Sequence, residues 1–587
     1  MTSKLINYYH TETNEVVLKL LGDTGEVKYK KVQCDKYFHI KTEDKEKVEK
    51  LLQNFSYTDK FSHEDVLLDF SFETINDKYT KVVYEGSEKM YLFGAIRYII
   101  EKLESNNIES FETDLLPGDN YVLDHNYEIS DKYRVLYWDI ETRDDTGDVQ
   151  IGRDKILSIC GVDNTGKEFI FCDDSETKVL NDFTKLLKDY EIICGWNSES
   201  FDFPYIKARL KFHEIYFSFK PLIHIDLMRV FMGSSFVKTR ISKEFITSYS
   251  LNAIAKTFIK DSKLEIEDSG SSYGGKIWRL YNEDRDTLIR YNLQDCKLLK
   301  RLDDEFKLID NEVSIAQLAK FPLSKTRSSN PIVDAFVLRE ARKRGEHLPS
   351  KKWGVSKATY EGGLCELYKP GMYSNVVVFD WSSLYPSLVR LFGIDCYNKI
   401  KNNNPAKHTN EYVTTFDGFK YKRAPRGILP TILDDMTELR FKLRDEQQKY
   451  EKGSVEGNQA EHRQLSAKVV ILAAYGVQGS NYYRLYDLEV AASITGSGRA
   501  LMRFVIEYIG KLDYCKWLYT DTDSFFIAFD DLNDVDRFEK EIHSFVDSKV
   551  LEYTGEKNKH LRFETEKIAS SAIFLAKKKY CMKVVAE

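Results

Sequence analysis

The segment Arg134-Val-Leu-Tyr-Trp-Asp-Ile-Glu-Thr142 constrains the fold most: it is an apolar strand that closes on two acids and opens a run of alternating strands and helices. Residues 134–140, 156–162, 168–171 and 192–196 read as strands, the last of them buried. Residues 176–190, 204–212 and 284–306 read as helices, with Pro204 near a first turn where its missing N–H is harmless. Apolar strands separated by helical segments predict an α/β layer. Residues 1–130 differ, with short strands at 15–21 and 28–32, amphipathic helices, and no acidic cluster to which a reaction can be assigned.

A second block starts near Tyr360, beyond a basic connector at 339–344. Its continuous apolar strand is 376–380, and helices are expected at 384–392, 434–451, 464–475 and 488–509. Strands 516–519 and 525–529 flank a tight acidic turn and form a hairpin. A length of 587 residues predicts several domains. The net charge of −7 excludes a basic coat, so any nucleic-acid binding must come from local Lys/Arg patches around an acidic centre. Nine scattered cysteines without a CxxC pair argue against a cysteine zinc site or a disulfide framework, and fit a reducing compartment. The polar start and the lack of an apolar run near 20 residues imply a soluble, cytoplasmic chain with no membrane partner.

Side chains alternate along a strand, so Asp139 and Glu141 share one side and repel unless a cation lies between them. Alone, such a pair is a solvated strand end. It has company in Asp202, where a buried strand meets a helix, and in Tyr291 and Asp295, one helical turn apart on one face. Four acids on separate elements can cage two divalent ions for in-line hydrolysis of a phosphodiester, with Tyr291 orienting the attacking water. Their order and spacing resemble the three exonuclease motifs of the proofreading nuclease superfamily.

In the second block, Val378-Phe-Asp380-Trp-Ser-Ser-Leu384-Tyr385-Pro386-Ser387 resembles the DxxSLYPS motif of family B (alpha-like) DNA polymerases. Tyr519-Thr-Asp521-Thr-Asp523-Ser524 resembles their YGDTDS hairpin. Attack of a primer 3′-hydroxyl on a nucleotide α-phosphate calls for two Mg²⁺ ions, with Mn²⁺ able to substitute. Asp380 and Asp523 would bridge both ions and Asp521 would assist. The strand-to-helix turn presents the amides of Ser383 and Leu384 to phosphate oxygens. Arg440 and Arg444, four apart, share a helix face and have no acid three or four residues away.

The resemblance covers roughly residues 100–587 and implies more. It makes Tyr385 the gate against a ribose 2′-hydroxyl. Arg440, Arg444, Lys468, Tyr475 and Gly476 match the fingers segment that grips the triphosphate. Tyr360-Glu-Gly362-Gly363 matches a template-contacting segment, and Lys577-Lys578-Lys-Tyr580 one that holds the primer terminus. Leu472, Ala473, Arg444 and Thr520 depart from the family's Asn, Ser, Lys and Gly. The segment 481–495 points towards the replicative polymerases of large tailed phages, hence to a host-cell cytoplasm.

The implied fold is multidomain, α/β and α+β. An N-terminal domain spans 1–130, completed by 336–375, and an RNase H-like 3′→5′ exonuclease domain spans 131–335. A palm with an antiparallel sheet spans 376–430 and 481–587, with helical fingers at 431–480. Expected partners are primer–template DNA and deoxynucleoside triphosphates. Since 64 residues follow Asp523, a chain without the family's helical thumb is expected, either truncated or the larger part of a split polymerase. The thumb, and through it a sliding clamp, would then come from a second polypeptide. Two other readings are a DNA-binding exonuclease with a weak polymerase half, and a non-catalytic architectural subunit.

Overall fold

A computed structural model describes residues 3–11, 15–58, 65–85, 94–145, 150–233, 237, 246, 248–266, 275–352, 354–356, 358–401, 404–451 and 454–586. The N-terminal part holds two small antiparallel sheets and a two-stranded ribbon, Ser56–Thr58 with Asp65–Leu67. Lys4–His10, Val16–Leu21 and Val27–Val32 form one. Tyr37–Lys41 lies inside the other and joins Tyr79–Glu85 to Ser110–Phe111.

The first catalytic-type layer is a five-stranded sheet of β1 (Val135–Thr142), β2 (Ile156–Asp163), β3 (Glu168–Phe171), β4 (Ile192–Gly195) and β5 (Ile223–Asp226), ordered β3-β2-β1-β4-β5. The β1–β4 and β4–β5 pairs are parallel, and β1–β2 and β2–β3 antiparallel. Burial on both faces explains the near-continuous apolar runs of β1, β2 and β4. Helix α1 (Asp202–Phe212) follows β4, and α2 (Arg285–Phe306) is capped by Asp284, which accepts a hydrogen bond from the Thr287 amide. Trp138, Phe183 and Tyr205 pack under one face of the sheet.

Helix α3 (Ser329–Lys343) corrects one expectation, because the basic run 339–344 is mostly the end of this helix and not a free connector. Its cations are in use: Arg339 donates to Asn126 and to the Ala319 carbonyl, Arg342 pairs with Glu112 and Asp124, and Arg344 pairs with Glu340.

The second layer is a six-stranded antiparallel sheet of β6 (Cys365–Leu367), β7 (Gly371–Trp381), β8 (Cys515–Asp521), β9 (Ser524–Phe529), β10 (Phe563–Ala576) and β11 (Lys579–Ala586), ordered β6-β8-β9-β7-β10-β11. On one face Phe379, Trp381, Phe525, Phe538 and Phe563 form a cluster of ring contacts. On the other, Tyr519, Phe526, Phe574 and Tyr580 do the same. Helix α4 (Leu384–Phe392) leaves β7, and the pair α5 (Ile428–Gln447) and α6 (Val455–Gly476) packs side by side before α7 (Leu488–Ile509). Helix α6 starts nine residues before its expected beginning, because the Ser454 hydroxyl caps it by accepting from the Gly457 amide. Lys468 therefore lies in the second half of a 22-residue helix and not early in a short one.

Candidate active sites

The two acids of β1 stand where the alternation puts them, less covered than Trp138 and Ile140 on either side. Helix α2 brings Asp295 against them. One carboxylate oxygen from each of Asp139, Glu141 and Asp295 lies within 4.8 Å of the others. Asp295 is fully buried, and its Oδ1 has no hydrogen-bond partner. Asp202, first residue of α1, is buried beside this trio and couples to it through space. Burial is the main cause that pushes these acids upward, reinforced by their neighbours' charge: Glu141 to about 8, Asp202 to about 7, and Asp139 well above the usual carboxylate range.

Lys263 was missed by the sequence reading. Its Nζ lies 2.5 Å from Asp295 Oδ2 and 5.6 Å from the Tyr291 ring centre. It pulls Asp139, Glu141, Asp202 and Asp295 downward against burial. Nothing in the charged run 260–268 sets this lysine apart from a solvated one; only tertiary packing selects it. Tyr291 is pushed up to about 12, first by burial. Asp226, also missed, is fully buried and accepts from the Asn197, Glu199 and Met228 amides, holding the turn that leads to Asp202.

In the second sheet Asp380 pairs with Ser524 of β9 on one side and Glu564 of β10 on the other. The β8–β9 turn is locked by its backbone. The Thr522 amide donates to the Leu364 carbonyl at 2.8 Å, and the Trp381 amide to the Asp523 carbonyl at 3.0 Å. Thr522 has φ 65° there. The first ties the hairpin tip to the residue before β6, and the second ties it to the end of β7 and brings Asp523 to Asp380. Thr520, the departure from the family's Gly, is fully buried and donates its hydroxyl to the Ser524 carbonyl at 2.8 Å, bracing the same turn. Burial, then Asp523 and Glu566, push Asp380 up to about 7, and Lys468 opposes them. Asp523 is raised by burial and by Asp521 and Glu566. Glu564 and Glu566 were missed as site residues, although their period-two spacing is the signal that exposed Asp139 and Glu141.

Ser383 occupies the N-cap of α4 with φ 55°, so the amides at the head of that helix flank Asp380. Tyr385 is nearly buried, and its ring centre lies 4.9 Å from that of Tyr475. Two glycines make room for it. A methyl group added at Gly363 would stand 2.8 Å from the Tyr385 hydroxyl, and one at Gly498 would stand 2.9 Å from its ring. The 360–363 segment is held on α7, where Thr495 donates to the Glu361 carbonyl and Arg499 to the Glu361 and Gly362 carbonyls. Tyr360 packs at Gly479.

Arg440 and Arg444 of α5 and Lys468 of α6 form the cationic side. Among the described ion pairs none involves these three. Burial and Arg444 hold Arg440 below its usual value, and burial and Arg440 do the same to Lys468. Leu472, Ala473 and Gly476 line an 860 Å³ cavity that also touches Glu199 and Arg327. Lys577 is exposed in the β10–β11 turn. Lys578, at φ 62°, donates its amide to the Tyr519 hydroxyl and brings its ammonium to 3.7 Å from Asp521. Each acidic centre thus carries one lysine on one carboxylate.

Both centres offer hard carboxylate oxygens without histidine or thiolate, which suits Mg²⁺ or Mn²⁺. The unpartnered Asp295 Oδ1 and the raised carboxyls fit a bound divalent cation that replaces hydrogen bonds and releases protons.

Residues 321–587 match DNA polymerase family B, and residues 136–307 match the RNase H superfamily. The chain is 25% identical over 522 residues to a DNA polymerase of Thermococcus gorgonarius, covering 81% of this chain and 63% of that protein. It is 28% identical over 391 residues to DNA polymerase 1 of Aeropyrum pernix, covering 60% of this chain and 38% of that one. It spans less than two thirds of the length of these relatives. Its fold is that of the family B DNA polymerase from Pyrobaculum calidifontis, with a TM-score of 0.73 at 22% identity over 100% of this chain and 81% of that one. Residues 321–587 thus carry a region matching the family B DNA polymerases, behind a ribonuclease H-superfamily region at 136–307.

Proposed function

We propose that this chain adds deoxynucleotides to a primer 3′ end on a DNA template at the Asp380–Asp521–Asp523 centre. We propose also that it removes them 3′→5′ at the Asp139–Glu141–Asp202–Asp295 centre. The observation that carries this reading is the gathering, on two separate sheets, of a carboxylate cluster with cations beside it: Lys263 on Asp295 at one, and Lys468, outside the described ion pairs, near Asp380 at the other. The reading divides the chain into 1–130 and 336–375 beside the template, 131–335 as exonuclease, 376–430 and 481–587 as palm, and 431–480 as fingers.

When bound, two Mg²⁺ ions at each centre supply Lewis acidity for the attacking oxygen and charge neutralisation for the phosphate. Asp380 and Asp523 would hold them in the palm, with Asp521 assisting. Arg440, Arg444 and Lys468 bind the triphosphate, and the Ser383 and Leu384 amides take its oxygens. Tyr385, stacked near Tyr475, excludes a 2′-hydroxyl. Tyr360, Gly362, Gly363 and Gly476 line the template side, and Lys577, Lys578 and Tyr580 hold the primer end. In the exonuclease Tyr291 orients the attacking water and Lys263 stabilises developing negative charge. A thumb-like polypeptide that wraps the product duplex, a clamp bound through it, and a role in phage replication are further parts of the proposal.

A labelled primer–template incubated with Mg²⁺, with and without deoxynucleotides, tests it. Extension with nucleotides and shortening without them is expected. Asp380→Ala abolishes only extension and Asp139→Ala only shortening, each by about 10⁴-fold. Shortening in both lanes would favour the second reading, an exonuclease whose polymerase half is weak, to which Leu472 at a clamp position lends support.

A further inference from the structure

A second kind of metal-ligand cluster uses none of the residues of the two acidic centres. His39, in the Tyr37–Lys41 strand, Glu112, just after the Ser110–Phe111 strand, and His347, beyond α3, each offer a ligand atom within 4.8 Å of the other two. All three side chains are at least nine-tenths buried, His347 being the outermost at 10% exposure. Glu112 Oε2 lies 3.3 Å from His347 Nδ1 and 3.8 Å from His39 Nδ1. The imidazole rings are stacked with centres 3.4 Å apart. His39 Nδ1 is buried without a hydrogen-bond partner, an orphan nitrogen aimed into the cluster. Glu112 is held in the left-handed region at φ 58°, a conformation costly for a glutamate and fixed here by the exchange of hydrogen bonds between its own groups and Leu348.

We infer that His39, Glu112 and His347 form a site for a borderline transition-metal cation of the Zn²⁺ class, which clips the N-terminal sheet to the chain that leads from α3 into the palm. Two imidazoles and one carboxylate are the donor set of three-ligand zinc sites, with water in the fourth position. Ligand atoms around a tetrahedral ion at about 2.0–2.1 Å stand roughly 3.3 Å apart, the His347–Glu112 spacing. His39 Nδ1, at 3.8 Å from the same carboxylate oxygen, is the third donor. Burial, then His347, keeps His39 neutral down to about pH 3, as a ligand must be. Burial raises Glu112, but His347 and Arg342 outweigh it and keep the carboxylate ionised. Arg342 Nη2 donates to Glu112 Oε2 at 3.1 Å and opposes the cation; Asp124 and Asn120 hold it when the metal takes that oxygen. Cysteine plays no part, so a search for cysteine pairs could not have found the site.

The test uses the full chain, stripped with EDTA and returned to saturating Mg²⁺ so that the catalytic carboxylates are occupied. Titration with Zn²⁺ is expected to show one equivalent bound and a rise in melting temperature. Co²⁺ in its place is expected to give the visible bands of a four-coordinate site, which oxygen-only centres do not give. His347→Gln and Glu112→Gln weaken Zn²⁺ binding by about 100-fold or more, and Arg342→Gln tightens it. Since His347 is at the rim, its variant keeps the fold even where His39→Gln does not, and the Co²⁺ spectrum of the unmodified chain needs no variant. The inference is overturned by no Zn²⁺ uptake under Mg²⁺, by uptake lost in Asp139→Ala or Asp380→Ala, or by uptake indifferent to His347→Gln. Any of these leaves a hydrogen-bonded histidine cluster only.

Discussion

At the scale of single residues, the acids of both centres are held where they resist ionising. Raised carboxyls bind protons in the folded chain that the unfolded chain has released, so between about pH 5 and 8 folded-state stability falls as pH rises. The metal-free chain should melt higher at pH 6 than at pH 8, and Glu141→Gln with Asp380→Asn should narrow that gap. Calorimetry in EDTA checks it. Lys263 acts in the opposite sense and lowers its carboxylate neighbours, so Lys263→Ala should move the acid limb of the exonuclease pH–rate profile to higher pH. A profile that only drops in height would make Lys263 a structural residue. Gly498 and Gly363 leave no room beside Tyr385, so Gly498→Ala should displace that ring and alter ribonucleotide exclusion while deoxynucleotide addition persists. Single-turnover incorporation of matched ribo- and deoxynucleotides reads the ratio.

Among elements, a buried ion network joins the N-terminal part to the second block. Arg484, fully buried, donates to Asp114 and Asp334, and Lys351 adds a further contact to Asp334. Arg484→Met would leave two buried carboxylates without their main cation, at a cost of about 3–5 kcal/mol. Urea unfolding followed by tryptophan fluorescence should show an earlier midpoint, and Asp334→Asn in the same chain should restore part of it. The expectation of a free basic connector at 339–344 failed for a related reason. The run is amphipathic and its cations are spent on Glu112, Asp124 and Glu340, partners distant in sequence or on its own helix. Helix α6 was only half visible because its first turns carry few buried apolar residues, and the Ser454 cap carried the start signal instead.

Over the whole molecule, a net charge of −7 means that the DNA binding proposed above would rest on a few concentrated cations, among them Lys577 and Lys578. Affinity for a primer–template should therefore fall steeply with salt, with log K losing about 0.9 per decade of salt for each phosphate contact. Lys577→Ala with Lys578→Ala should flatten the slope by about 2, read by fluorescence anisotropy across a salt series. An unchanged slope would take the β10–β11 turn off the DNA path. Among the described residues no helix is long and apolar enough to cross a membrane.

Much of both centres was legible because strand chemistry is local. Period two put Asp139 beside Glu141, and helical period put Tyr291 beside Asp295. Helices α4 and α7 and strand β3 have the expected bounds, since each is a dense apolar pattern with clear end signals. What sequence could not decide is which distant groups complete a site. Lys263 on Asp295, Lys578 on Asp521, Glu566 near Asp380 and the glycines around Tyr385 are chosen by packing across the chain. The same holds for His39 and His347, 308 residues apart and stacked ring on ring. Local periodicity sets the face of an element on which a side chain lies, but only closure of the tertiary fold sets what stands opposite it, because the energies that select those partners, burial and charge at short range, exist only once the elements are packed.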